Sequence, residues 1–402
     1  MEIQSVDSFV VGTPAPYKGG RNWVFVKVET DDGTVGWGEC NWSEYRIETL
    51  QQAIDELKDR FVVGFDPFEI ERLRERIDRS SHFLHVPGPV NAQVASAIEM
   101  ACWDIVGKAV GEPVYKLLGG KCHEEVRSYT YMHYEWEPPQ PPEKAAKAAR
   151  HYVDQGFTGL KLDPLHPING PRSIPLEQLE YAESIVAAVR EEVGDQCDIL
   201  VGTHGQLPTQ AAIRLARRIE PYDPLWLEEP VPPENVGEMA KVADSTTIPI
   251  ATGERVTSIH QFSELLESGA VQIVQPNVGL LGILGTKKVA AMAEAHYAEV
   301  APWLYCGPVA GAANLHVDAC TPNFLVQESI ERMDGFHADV LEEPLDWADG
   351  SLAIPSGPGL GVTPDESVLR SRPENELPAP GDRPHYSFER NEEKLETPEA
   401  MD

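Results

Sequence analysis

The sequence predicts an α/β protein: a TIM-type (β/α) barrel with an α+β capping domain made from N-terminal and C-terminal segments of the chain. Three observations lead there. Eight short apolar runs alternate with helical stretches between about residues 125 and 330. The first 45 residues or so instead alternate apolar and polar positions in the manner of antiparallel strands. Finally, the ends of the apolar runs collect Lys, His, Asp and Glu, as expected where barrel strands deliver polar side chains to one mouth.

The N-terminal capping domain is expected over residues 1–124. WVFVKVET and TVGWGEC, joined at Asp31, Asp32 and Gly33, read as a hairpin. From Asn91 the period becomes helical, with Ile98, Ala101, Cys102, Ile105 and Ala109 on one stripe, and Gly111 and Pro113 end it. The barrel domain is expected over 125–330, its strands being RSYTYM, TGLKLD, CDILVGT, PLWLEEP, IPIAT, VQIVQP, EVAPWL and FLVQE. Strands separated by helices imply right-handed βαβ units, which close into a barrel with reactive loops at the strand C-termini. Thr209, Ser258 and Thr286 are the expected N-caps of three of the helices. Residues 331–365 lose the alternation and are expected to return to the cap. Residues 366–402 form an acidic, Pro-rich tail, either disordered or laid as an arm on a neighbouring subunit, and the chain is expected to be a homo-oligomer.

Composition narrows the partners. The 402 residues include 65 Asp and Glu against 33 Lys and Arg, a formal charge of −32 that repels nucleic acid and anionic membrane surfaces. Such a surface also suits high salt, where screening removes the mutual repulsion; salt-indifferent stability would refute that expectation. The opening residues lack a basic stretch leading into an apolar one, and no window approaches the roughly 20 apolar residues of a bilayer span, so a cytoplasmic protein is expected. The six cysteines are scattered, without a C-x-x-C pair, and read as small buried hydrophobes.

The strand ends carry the chemistry. In order they supply Lys161 and Asp163, then His204, Glu228, Glu254, Asn277, Trp303 and Glu328. Carboxylates crowded at an enclosed mouth repel one another unless a cation sits among them, and a hard divalent ion such as Mg²⁺ resolves this. A lone Glu would read as a helix-start carboxylate. Glu228 and Glu254 on consecutive strands read instead as metal ligands. His133, after the first strand, could meet substrate hydroxyls, although a solvated loop histidine is the commoner case. Lys18 and Arg21 lie in a loop of the cap with Gly19 and Gly20, where they could meet an anionic substrate or simply form a mobile connection.

Several segments resemble the enolase superfamily, specifically its mandelate racemase/muconate lactonizing enzyme branch and, within it, the galactonate and gluconate dehydratase-like sugar-acid dehydratases. They are ASAIEMACWDIVGKAVGEPVYKLLGG, WLEEPVPPEN, TGERV, VQPNVGLLGILGTKKVAAMAEA and GPVAGAANLHVDACTPNFLVQES, and the resemblance covers nearly the whole chain except the tail. It implies a capped barrel and Mg²⁺-dependent loss of water from an aldonic acid, through an enediolate, to a 2-keto-3-deoxy acid. It further implies that Glu228 and Glu254 match the second and third metal ligands, and that Glu328 hydrogen-bonds the substrate carboxylate. By the same resemblance His204 is the acid for the departing hydroxyl, and Lys161 stands at the first lysine of a Lys-x-Lys motif.

The chain departs from that pattern at three places. Gly202 stands where the first ligand, an acid, is expected, and Asn277 and Trp303 stand where the family's Asp–His base is expected. Neither Asn nor Trp accepts a proton near neutral pH. The base must then be Lys161, Asp163 or His204, the last serving as both base and acid in a syn elimination. An internal Lys161–Asp163 ion pair is the rival reading of those two residues. Beside the dehydratase stand two alternatives: a cycloisomerase or epimerase on the same chemistry, and a catalytically silent barrel that binds a sugar acid.

Overall fold

The architecture was obtained as a computed structural model, which describes residues 1–41, 47–80, 88–132, 141–165 and 174–376. The chain opens with β1 (Ile3–Gly12), β2 (Asn22–Thr30) and β3 (Val35–Glu39), an antiparallel sheet in that order, so the expected hairpin is present. Then come α1 (Ile47–Leu57), α2 (Ile70–Asp78), the long α3 (Pro89–Val110) and the short α4 (Val114–Leu117). The predicted stripe of α3 is buried except for Ala109, and the helix ends at Gly111, whose left-handed φ of 74° closes it without a Cβ penalty. The sheet lies close on α3: a Cβ at Gly38 would stand 1.8 Å from the Ala97 carbonyl oxygen, so only glycine permits this approach.

Eight parallel strands follow, separated by helices. They are β4 (Glu125–Tyr131), β5 (Gly159–Leu162), β6 (Asp198–Gly202), β7 (Trp226–Glu228), β8 (Ile250–Thr252), β9 (Ile273–Val274), β10 (Glu299–Val300) and β11 (Gln327–Ser329). The intervening helices are α5 (Pro142–Asp154), α6 (Leu176–Val193), α7 (Thr209–Ile219), α8 (Val236–Ala243), α9 (Ile259–Glu267), α10 (Val278–Ala295) and α11 (Pro308–Ala319). Sequential neighbours pair from β4 to β10, β11 pairs with β4, and a parallel bridge between Val300 and Phe324 joins the remaining edges. These pairings close the eight strands into a barrel. Tyr129, Leu200, Trp226, Ala251, Ile273, Ala301 and Val326 meet inside the barrel and form an apolar plug.

Two of the expected caps fall elsewhere. Thr209 is the first residue of α7, after Pro208, and its hydroxyl donates to Glu238. Thr286 lies inside the second of two helical pieces of α10, which meet at the non-helical Gly282 (φ 71°), so that piece has already begun before it, and its hydroxyl donates to the Gly282 carbonyl. Ser258 does cap α9, accepting from the Gln261 N–H.

After α12 (Phe336–Asp339), the pair β12 (Trp347–Ala348) and β13 (Ser351–Ala353) adds antiparallel to the start of β4, so this stretch serves the barrel as well as the cap. The chain then crosses to the cap, where the Leu360 N–H donates to Asp104. Residues placed with the tail by composition continue the packing. In α13 (Glu366–Ser371) Leu369 is buried, Asp365 caps the helix, and Glu366 pairs with Lys27. Asn375 then donates from its side chain to the Thr13 and Arg21 carbonyls. Of the cysteines, five are buried and Cys122 is exposed, contrary to its expected burial; it follows Lys121 in the exposed connection before β4. No helix of the described residues is long and apolar enough to cross a membrane.

Candidate active site at the barrel mouth

The strand ends converge as their alternation requires. Lys161 on β5, Glu228 at the end of β7 and Glu328 on β11 are buried together. The Lys161 ammonium pairs with Glu228 Oε1 and lies 3.5 Å from Glu328 Oε1. Burial alone would favour the neutral amine, but the charges of Glu228 and Glu328 hold Lys161 protonated, well above its ordinary value. The other Glu228 oxygen, Oε2, accepts from Trp226 Nε1 at 3.1 Å and from Gln275 Nε2 at 2.8 Å. Glu328 Oε2 accepts the Leu304 N–H at 2.9 Å, and its carboxyl is raised by burial.

Asp163 takes a different partner from the expected one. Just beyond the end of β5 at Leu162, Asp163 pairs with His204, while Lys161 pairs with Glu228. Its Oδ1 accepts the Leu165 N–H at 3.1 Å, and its Oδ2 meets His204 Nδ1 at 2.9 Å. His204, just beyond β6, has a left-handed φ of 51°, a cost of order 1 kcal/mol or more of the kind that collects at functional sites. Its side chain keeps about a quarter of its exposure, 24%. Burial works against imidazolium, but the bond to Asp163 and its charge outweigh burial and raise the His204 pKa. The result is a carboxylate–imidazole pair, with Asp163 fixed by backbone and His204 oriented by Asp163.

Glu254, just after β8, faces a crowd of acids. Burial, Glu229 and Glu228 push its carboxyl up to about 7. Arg255 balances part of this: its Nη2 pairs with Glu229, and its Nε lies 3.8 Å from Glu254 Oε1. Glu229 also accepts from the Thr252 hydroxyl and from the Gly253 N–H. Glu229, Arg255, Gln275 and Trp226 were not singled out by sequence. Their signal was there in the doubled Glu228-Glu229 and in Glu254-Arg255, since a second acid and a base beside each ligand candidate need partners of their own.

Among the described residues no three His, Cys, Asp or Glu side chains converge as a metal cage. The donors nevertheless suit Mg²⁺, which commonly takes one or two protein carboxylates and completes its shell with water and substrate oxygens. Glu228 and Glu254 provide two. The raised Glu254 carboxyl marks the side of the cluster where positive charge is short, because Lys161 serves the Glu228–Glu328 side. No third acid enters at Gly202, where a Cβ would stand 3.3 Å from Lys161 Cε and 4.0 Å from His204 Cε1.

The remaining sequence candidates divide. Asn277 spends its side chain on backbone: Oδ1 accepts the Gly279 N–H at 2.9 Å, capping α10, and Nδ2 donates to the Glu254 carbonyl at 3.2 Å. Trp303 is buried and bridged to Asn277. Lys18 pairs with Glu331, just beyond β11, which ties the cap loop to the barrel rim, and the Arg21 guanidinium lies 4.0 Å over the Tyr17 ring. His133 lies outside the described residues.

The cap is held over this mouth by two buried acids. Glu39, at the end of β3, accepts the N–H groups of Gly307, Val309 and Ala310 at the start of α11. Glu99 on α3 accepts those of Ile283 and Leu284, just past the bend in α10.

Known proteins of similar sequence and shape agree with this geometry. Residues 17–119 match the mandelate racemase / muconate lactonizing enzyme N-terminal domain, and residues 144–368 match the enolase C-terminal domain-like family. The chain is 36% identical over 368 residues to a D-gluconate dehydratase of Thermoproteus tenax, covering 90% of this chain and 72% of that one. It is 35% identical over 372 residues to a D-galactonate dehydratase of Xanthomonas euvesicatoria pv. vesicatoria, covering 89% and 93%. A solved mandelate racemase/muconate lactonizing enzyme from a Sulfitobacter species superposes with a TM-score of 0.89 at 41% identity, covering 94% of this chain and 96% of that one. The two family matches and the near full-length likeness of fold leave one conclusion: the chain belongs to the mandelate racemase/muconate lactonizing enzyme family of the enolase superfamily.

Proposed function

We propose that the protein removes water from an aldonic acid, such as gluconate, galactonate or a pentonate, to give a 2-keto-3-deoxy acid. The observation that carries this is the His204–Asp163 pair at 2.9 Å, beside the acid cluster of Glu228, Glu254 and Glu328. Glu228 and Glu254 would hold Mg²⁺, which when bound supplies positive charge to the substrate carboxylate. Glu328 and Lys161 orient that carboxylate and offset the negative charge that moves onto it when the α-proton leaves.

His204 Nε2 takes the proton from C2, and Asp163 stabilises the imidazolium through Nδ1. The same proton then passes to the hydroxyl on C3. The C3–O bond breaks, C2=C3 forms, and the hydroxyl departs as water rather than hydroxide. The resulting enol ketonises to the 2-keto product. One residue acting as base and then acid requires both groups on one face, a syn elimination. The relatives that are sugar-acid dehydratases support the substrate class.

The test is incubation of the purified chain with Mg²⁺ and a panel of aldonic acids, scored for 2-keto-3-deoxy product. One acid should be consumed, and His204→Asn should slow it at least about 10³-fold, since both proton transfers are lost. Recovery of every acid unchanged would overturn the reading, and epimerisation at C2 without water loss would replace it with the isomerase alternative.

A further inference from the structure

Two oxygens of Glu228 are used in opposite ways. Oε2 is held by two neutral donors, Trp226 Nε1 and Gln275 Nε2, so it is fixed in place and already shared. Oε1 is the oxygen left for a cation, and the Lys161 ammonium sits on it. Glycine at residue 202 leaves the lysine room: its Cε lies 3.3 Å from the position a Cβ would take, and a longer side chain on the end of β6 would compete for that space. A second carboxylate waits beside it, with Glu328 Oε1 at 3.5 Å from the same nitrogen, while Glu328 Oε2 is anchored by the Leu304 N–H.

We infer that Gly202 and Lys161 make a cation exchanger: the ammonium occupies Glu228 Oε1 until a divalent ion takes that oxygen, and then crosses to Glu328, where it meets the substrate carboxylate. This rests on the proposed divalent site at Glu228 and Glu254. A divalent ion and an ammonium on one buried carboxylate oxygen repel each other, and with a second carboxylate oxygen within reach that repulsion favours the ammonium's move to Glu328. The flexible four-carbon stem lets the ammonium travel between neighbouring carboxylates without moving the backbone. Metal entry and preparation of the carboxylate-binding side thus become one event. A buried positive charge also stays with the acid cluster when the metal is absent, so the empty site does not leave three acids unbalanced.

The test uses metal-free full-length chain and Mn²⁺ as probe, followed by electron paramagnetic resonance and calorimetry, with no substrate present. Lys161→Met should bind Mn²⁺ at least about tenfold more tightly than wild type, since the ion no longer displaces a buried pair; equal or weaker binding overturns the inference. Loss of a nearby positive charge would tighten binding even without an exchange, so a second measurement uses wild type alone. Crystals with and without Mn²⁺ should show Lys161 Nζ leaving Glu228 Oε1 and closing to hydrogen-bond distance of Glu328 Oε1. An ammonium still on Glu228 Oε1 beside bound Mn²⁺ overturns the exchange while leaving the metal site intact. If neither protein binds Mn²⁺, the site and the inference fall together. Failure to dehydrate any sugar acid, by contrast, touches only the proposed reaction.

Discussion

The two sides of the barrel mouth have been put to different uses. On the β5–β6 side, Asp163 and His204 form a carboxylate–imidazole pair whose members are fixed by a backbone N–H and by each other. On the β9–β10 side, Asn277 caps α10 and braces the Glu254 carbonyl, Trp303 is buried, and the loop beyond it is fastened by Glu39. By the proposed mechanism one side transfers protons and the other is wall. The pair just beyond β5 and β6 meets the physical requirements of a base, namely contact between carboxylate and imidazole, a raised pKa and partial access. Strand position is not among those requirements, so a barrel can carry the function at another point of its rim.

The sharpest way to break this contrast is Asp163→Asn. The Asn side chain preserves size, but it removes the charge that helps raise His204 and the acceptor that selects its tautomer. Turnover should fall by about 10²–10⁴-fold, with folding retained. The pH profile gives a second readout. Because Asp163 raises the His204 pKa, its removal lowers it, so unprotonated imidazole persists to lower pH. The acid limb of residual kcat/KM should therefore move to lower pH. An unmoved limb with near-normal kcat would place the base elsewhere, with Lys161 next in line.

The structural side is probed by Glu39→Gln. Burial pushes the Glu39 carboxyl up to about 8, against three N–H groups at the start of α11 that favour the anion. An acid raised in this way keeps its proton in the fold after the unfolded chain has lost its own. Its contribution to stability is thus complete below its ordinary value of 4.5 and is lost as pH rises towards about 8. Wild type should lose of the order of 2–4 kcal/mol more than Glu39→Gln between pH 5 and pH 8. Calorimetric melting at the two pH values measures the difference. Equal slopes would mean that the helix N-terminus keeps Glu39 ionised throughout.

Much of the barrel was legible because period and strand-end chemistry are local properties. Alternation marks the eight strands, and their inward-facing ends point to Lys161, His204, Glu228, Glu254 and Glu328. Pairing was less legible, because it depends on residues far apart in the chain. Lys161 and Asp163 stand on either side of Leu162 at the end of β5, yet Lys161 pairs with Glu228 and Asp163 with His204, partners far along the chain that no local pattern names. Thr286 misled for a related reason. The break in α10 falls at Gly282, four residues before it, and the N–H groups of Ile283 and Leu284 just beyond the break are satisfied by Glu99 of the cap, a partner that no local pattern shows. Glu39 gave no local sign at all. Its partners are 268 to 271 residues away, beyond the reach of any pattern in one stretch of chain.

The smallest expected effect is that of Asn277→Ala, and it tests whether the β9 side really is wall. The substitution removes the cap on α10 and the brace on the Glu254 carbonyl, both backbone contacts. Loss of an Asn cap costs about 1 kcal/mol, which for a chain of this size lowers Tm by roughly 2 °C. Turnover should fall by only about threefold, through small displacement of Glu254 rather than loss of a reacting group. Thermal melting and steady-state kinetics on the same preparation separate the two contributions. A hundredfold loss of kcat with Tm unchanged would show that Asn277 touches the reaction, and the division between a chemical side and a structural side of the mouth would have to be given up.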